Sequence, residues 1–382
     1  MRIASRQAAT VAVFFVAMSM VAPVSPAPTF TWVVDCARGQ SITHALEHAP
    51  GRKLMLIIRG TCNENVVIDR DDVTVQGDPA TGGAVNGPSA NTASISVVAN
   101  RISIDGLTVT GGQDGIKIYG ANNVRIVNSV IRNTGTNGIS IGSSQTVTVN
   151  NSKVQYAGGG GVSVLRGGVS IDNSEINFNK ASGVHIVSNS SLTANGSTFS
   201  FNGAHGLGIF NASEAMIFDT RIAGNGTDST AFFRQGVYIS FGHAEFRGGA
   251  ISDNAGMGMV VVGSATVANT NVSGNGDTGI LALVGSTLLV DGGTISGNKG
   301  NGVFLIANST GQISTGAMIQ NNTKHGIELY GGGKLWLFSP ITVGGNTWFG
   351  LYCNDGESSA YDTSWISFSP PNAYANISCT GY

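Results

Sequence analysis

An all-β solenoid, a coil of short parallel strands, is the fold class this sequence predicts. Two observations carry that reading. A glycine followed by aliphatic residues recurs at Gly115, Gly138, Gly161, Gly183, Gly206, Gly236, Gly258, Gly279, Gly302, Gly326 and Gly350, at spacings of 23, 23, 22, 23, 30, 22, 21, 23, 24 and 24 residues. Eleven copies at so regular a period mark a stacked repeat. Within each copy the apolar residues alternate, as in GVSV, GVHI, GVYI and GIEL, which is the period of a strand and not of a helix.

Each copy divides into three short strands. The glycine opens the first. A second alternating patch follows, as in VRIVNS, VSIDNS and TLLVDGG, and a third ends in asparagine, as in SEINFN, NVSGN and TISGN. Three strands and three bends make one turn. Residues directly after the glycines should then stack inward as one column: Ile116, Ile139, Val162, Val184, Leu207, Val237, Met259, Ile280, Val303, Ile327 and Leu351. Asn179, Asn202, Asn254, Asn275, Asn298, Asn322 and Asn346 each stand four residues before a glycine. Asparagine accepts the left-handed backbone of a sharp bend, and its amide can bond to the same amide one turn away. Both residues of the N-x-x-x-G pattern are read as structural.

Here the sequence resembles the right-handed parallel β-helix superfamily, which includes the pectate lyases, and within it the bacterial proteins with short N-x-x-x-G-[IV] repeats. The resemblance covers roughly residues 60–352. It implies a right-handed parallel β-helix of about 11–13 rungs with a short N-terminal capping helix and an irregular C-terminal cap. It transfers no catalytic residue, because such proteins include lyases, hydrolases, epimerases and members without activity. The DPHD-type element of the uronate epimerases is absent, since Asp78-Pro79 is followed by Ala80.

The ends of the chain depart from the repeat. Arg2 and Arg6 precede an apolar run from Ala8 to Ala22 and then small residues and prolines, so residues 1–27 are expected to be a secretory signal peptide. The run is shorter than the roughly 20 residues a spanning helix needs, so no transmembrane span is expected in the mature form. Residues 28–60 are expected to form an N-terminal cap, in which SITHALEHA supplies a short helix with Ser41 as its N-cap. Repeats fill 61–352, and 353–382, with Tyr361, Trp365, Phe368, Tyr374 and Tyr382, form the C-terminal cap. Four cysteines allow three connectivities. Joining Cys36 to Cys62 and Cys353 to Cys379 closes a local loop of equal span at each end and is favoured, with the other two left open. Disulfides suit a secreted, periplasmic or cell-surface location.

Composition excludes some partners. Charged residues are only 11% of the 382, and the net charge is −2, so nucleic acid is not an expected partner. No Cys/His spacing suggests a metal, and no cofactor motif is present: the Gly-rich stretches are followed by no helix that could cradle phosphate.

Function on a coil lies on outward columns and in loops. The outward position two after each glycine reads Lys117, Ser140, Ser163, His185, Gly208, Tyr238, Val260, Leu281, Phe304, Glu328 and Tyr352. The 30-residue interval inserts GNGTDSTAFFRQ beside this column and brings in Phe232, Phe233 and Arg234. Gly208 leaves a gap of about 10 Å between His185 and Tyr238, two strand spacings wide. That gap could admit one sugar ring. Abstraction of a proton beside a uronate carboxylate needs a base, an acid and a cation, and His185, Tyr238 and Arg234 are the catalytic candidates. Lys117, His205, Phe232, Phe233 and Phe304 are the ligand-binding candidates. Lys324 and His325 beside Glu328 read as a surface ion-pair cluster. Three functions follow: an exported polysaccharide-binding protein without catalysis, a polysaccharide lyase or uronate epimerase, and an adhesin-like structural protein. The first is preferred.

Overall fold

The computed structural model describes residues 29–231 and 233–379. The expected signal segment, Phe232 and Tyr382 lie outside the described residues. Within them the chain is an all-β parallel solenoid of about 15 turns, with a single α-helix near the N-terminus. One turn reads as strands Ile139–Gly142, Val147–Asn150 and Lys153–Gln155, after which Val162–Leu165 begins the next. Ile139 pairs with Val162, Val162 with Val184, and Val184 with Leu207, all parallel and in register. The whole column from Ile116 to Leu351 is 0% exposed. Alternation within each short strand therefore sends one set of side chains into a dry aliphatic axis and the other set outward.

The corners are as ordered as the strands. Asn179, Asn202, Asn254, Asn275, Asn298, Asn322 and Asn346 all point inward, and Asn225 joins them as a step the four-residue rule misses. At each step the side-chain Nδ2 donates to the Oδ1 of the next asparagine, as from Asn202 to Asn225 (2.9 Å) and Asn254 to Asn275 (2.9 Å). The same oxygen accepts the backbone N–H of the asparagine below, 3.1 Å from Asn202 to Asn225. Nδ2 also donates to a carbonyl of the preceding turn, as from Asn254 to Ile222. Every buried polar atom of the side chain is thus engaged.

One expectation about these asparagines is corrected. The left-handed residue is not the ladder asparagine but the residue just before it: Phe178, Phe201, Gly224, Asp253, Gly274, Gly297, Asn321 and Gly345 have φ between 45° and 65°. Placing the bend one residue earlier lets the asparagine turn its amide inward. A second corner behaves likewise, with left-handed Asn128, Asn151 and Asn173 each followed by a serine. There the Ser129, Ser152 and Ser174 amides donate to the next serine hydroxyl at 3.1 Å.

The repeating glycine answers to space. A Cβ on Gly183 would lie 2.6 Å from the Asn202 Nδ2 and 2.7 Å from the Gly206 carbonyl oxygen. Glycine is required because the amide ladder passes against it.

The coil runs beyond the glycine-marked repeats at both ends. Thr29–Asp35 already pairs along its length with Lys53–Arg59. The helix Ile42–His48 takes Ser41 as its N-cap and buries Ile42, Ala45 and Leu46. The Glu64 carboxylate accepts the amides of Ile42 (2.7 Å) and Thr43 (3.1 Å), adding an acid at the helix N-terminus. At the other end the ladder continues from Asn346 to Asn372 and Asn376. Disulfides join Cys36 to Cys62 and Cys353 to Cys379, the favoured connectivity. No helix of the described residues is long and apolar enough to cross a membrane.

Replacing Asn254 by Ala removes two donors and one doubly used acceptor from the buried ladder. Orphaned buried groups cost about 1–3 kcal/mol each, so Asn254→Ala is expected to lower stability by about 2–4 kcal/mol in denaturant unfolding. An unchanged midpoint would contradict the ladder's role.

Candidate functional site

The outward column runs along one face, and two clusters stand out on it. The first lies at mid-coil, where His185, Gly208 and Tyr238 occupy successive turns as the spacing requires. The gap above Gly208, however, is not open. Phe210, two residues further on, folds back so that a Cβ on Gly208 would sit 2.6 Å from its ring. The Phe210 ring stacks on His185 at 4.7 Å and lies 5.6 Å from Tyr238. His205 stacks on Tyr238 at 5.2 Å, with Phe233 5.3 Å away. The protein's own rings fill the space a sugar ring would take. Sequence reasoning missed Phe210, although a glycine two residues before an aromatic was its signal.

Arg234 is placed by the inserted loop. Gly226, Thr227 and Asp228 donate to carbonyls of Asn202 and Gly203, tying the loop to the turn beneath. The Arg234 Nε donates to the Gly226 carbonyl at 2.9 Å, within its own loop, while its carbonyl accepts the Gly256 amide. Burial lowers the His185 pKa. Burial, with the nearby His185 charge, lowers that of His205 to about 4. The Gln235 side chain beside His205 offsets part of that fall.

The remaining candidates are scattered. Lys117 sits with Ser96, Val98 and Tyr119 around a shallow hollow of about 350 Å³. Phe304 lies eight strand spacings further along the column, about 38 Å away, and pairs with Glu328 on the next turn.

The second cluster begins there. His325, Glu328, Trp348, Phe349, Tyr352, Asn354 and Tyr374 line a cavity of about 390 Å³ at the C-terminal end of the coil. Glu328 and Tyr352 are register neighbours on successive turns. His325 precedes the corner glycine Gly326 and is only 3% exposed. It stacks on Tyr352 at 4.5 Å and lies 5.6 Å from Phe349. The Phe349 amide donates to its Nδ1 at 3.3 Å, which places the proton of the neutral ring on Nε2. Burial, reinforced by the Lys324 charge, lowers the His325 pKa to about 4.

Glu328 is half-buried, and burial raises its pKa. Asn301 Nδ2 donates to one carboxylate oxygen at 2.6 Å and Asn354 Nδ2 to the other at 3.3 Å. The Tyr352 hydroxyl donates to Asn354 Oδ1 at 3.2 Å. Lys324 is exposed and does not line the cavity. The expectation of a surface ion pair is corrected: His325 is a buried neutral ring and Glu328 is held by two amides. Trp348 and Tyr374, 46% and 78% exposed, form the rim. Asn354 and Tyr374 follow the last glycine-marked repeat, and the Cys353–Cys379 bond joins the stretches that carry them. The cavity offers an aromatic wall, one acceptor carboxylate and an amide, a set suited to a polyhydroxylated ligand.

The chain belongs to the right-handed β-helix family: the profile described as "Right handed beta helix region" matches residues 58–199, 137–235 and 228–360. No curated protein shows a sequence match. Among solved structures, the chain is similar to the A-module of the Azotobacter vinelandii mannuronan C-5 epimerase AlgE6, with 15% identity and TM-score 0.56, covering 86% of this chain and 94% of that one. The periplasmic alginate epimerase AlgG is similar at 12% identity and TM-score 0.56, covering 92% and 85%. The pectate lyase Pel9A follows at 13% identity and TM-score 0.48, covering 70% and 76%. At these identities the likeness to the two epimerases shows the fold alone.

The two buried histidines set a pH response. An unfolded chain protonates them near pH 6.5, whereas the folded chain keeps both neutral to about 4. The stability they contribute is full above about 6.5 and is lost as the pH falls toward 4; the raised Glu328 works in the opposite sense. The melting temperature is expected to drop between pH 7 and pH 5, and His205→Gln is expected to flatten that drop. An identical pH slope in His205→Gln would contradict the assignment.

Proposed function

We propose that the protein binds extracellular polysaccharide through the C-terminal cleft, without catalysis. One observation carries this reading: a cavity of about 390 Å³ walled by aromatic rings and floored by a carboxylate that two amides hold in place. Exposed aromatic faces cover the apolar face of a sugar ring, while a fixed carboxylate and amide meet its hydroxyls. The β-helix fold shared with a mannuronan C-5 epimerase and a periplasmic alginate epimerase supports a polysaccharide partner. Two disulfides support an extracellular or periplasmic setting.

A lyase or epimerase at mid-coil is the weaker reading. Its gap is filled by Phe210, and Arg234 bonds into its own loop. Neither His185 nor Tyr238 touches the C-terminal cleft, since His185 lies six strand spacings from Glu328, about 29 Å.

Calorimetry with the glycan picked out on a glycan array tests the proposal. Trp348→Ala with Tyr374→Ala is expected to weaken binding at least tenfold, or ~1.4 kcal/mol. His185→Ala and Tyr238→Phe are expected to leave it unchanged. The reverse pattern would move the site to mid-coil, and unsaturated products from a uronate polymer would establish lyase chemistry instead.

A further inference from the structure

We infer that the C-terminal cleft takes an uncharged sugar unit and turns away a uronate, an inference that rests on the polysaccharide-binding reading above. The charge inventory of the walls points this way. Among the described residues Glu328 is the one acid lining the cavity, and their lining contains no Lys or Arg. Lys324, whose charge is felt at both His325 and Glu328, stands exposed outside the lining. A uronate bound here would set its carboxylate against that of Glu328 with no cation between them. Removal from water makes such repulsion stronger than it is at a free surface.

The way Glu328 is held gives the positive half of the case. Each of its oxygens receives one amide proton, from Asn301 and from Asn354. A carboxylate offers about four acceptor sites, so two remain for hydroxyl donors, as adjacent hydroxyls of a hexose would supply. The holding groups are themselves fixed. Asn301 Oδ1 accepts the His325 amide at 3.1 Å, and Asn354 Oδ1 accepts the Tyr352 hydroxyl at 3.2 Å. The acceptor is therefore oriented before any ligand arrives. Burial, which raises the Glu328 pKa, likewise disfavours a second negative charge in the cleft.

Size limits the ligand further. The cavity, about 390 Å³, lies near the small end of the roughly 300–1,000 Å³ range of small-molecule pockets. It suits one or two rings, such as the end of a chain.

The test is a glycan array carrying matched uncharged and uronate glycans, probed with the full protein, followed by titration of the best ligand into the parent and into Glu328→Gln. Uncharged glycans are expected to bind, with uronate glycans at least tenfold weaker. Glu328→Gln is expected to weaken uncharged binding at least fivefold and to narrow the gap between the classes. A uronate bound as tightly as the best uncharged glycan, and lost in Tyr374→Ala, would overturn the inference while leaving polysaccharide binding intact. Unchanged uncharged binding in Glu328→Gln would remove Glu328 as the discriminating group and overturn it as well. No binding to either class would overturn the polysaccharide reading and this inference with it.

Discussion

A coil that bends three times per turn pushes peptide groups into its dry interior at every bend, and each of them needs a hydrogen-bond partner. Strand ladders satisfy the straight stretches but not the corners. Here the side chains of one turn serve the corner of the next. Asn202 Oδ1 takes both the backbone and side-chain N–H of Asn179, Asn225 does the same for Asn202, and the series continues to Asn346. Serines do the corresponding work at a second corner. Aliphatic stacking supplies the larger share of burial, but it is indifferent to a slip of two residues, which returns the same face to the interior. The amide ladder is not, because its donors and acceptors match only when each turn lies directly over the last.

That register decides what the outer surface can do. Residues at equivalent positions stand one strand spacing apart, so each outward side chain meets its neighbours on the turns above and below. At mid-coil this proximity closes the surface: Phe210 reaches back over Gly208 and completes a packed row with His185 and Tyr238. Near the C-terminus the same column carries Glu328 and Tyr352, and the segment after residue 352 adds Asn354 and Tyr374 around an open space. A filled row and a cleft thus arise on one column: the Phe210 ring takes the space beside Gly208 at mid-coil, while open space remains beside Glu328 and Tyr352.

The repeat made the fold legible because the amide ladder and the glycine beside it leave a spacing signature in the chain. The inward column from Ile116 to Leu351 followed from periodicity alone. The cleft did not. Two of its walls come from the segment after residue 352, where the coil continues but the glycine spacing stops, and the disulfide that joins Cys353 to Cys379 brings those walls together. His325 looked like a surface residue because it stands just outside the alternating pattern. Its position before the corner glycine in fact turns it under Tyr352. Asn225 escaped the asparagine count because the inserted loop follows it and lengthens the distance to Gly236. Local insertions and tail segments, which carry most of the surface chemistry, are the places where spacing stops reporting on contact.

Hydrogen exchange at the corners tests the stacked ladder most directly. If the asparagine amides at the bends are bonded to the turn above, peptides spanning Asn202, Asn254, Asn298 and Asn322 should exchange as slowly as the flanking strands. Fast exchange at those bends, with protection confined to the strands between them, would contradict a coil held in register by its corners.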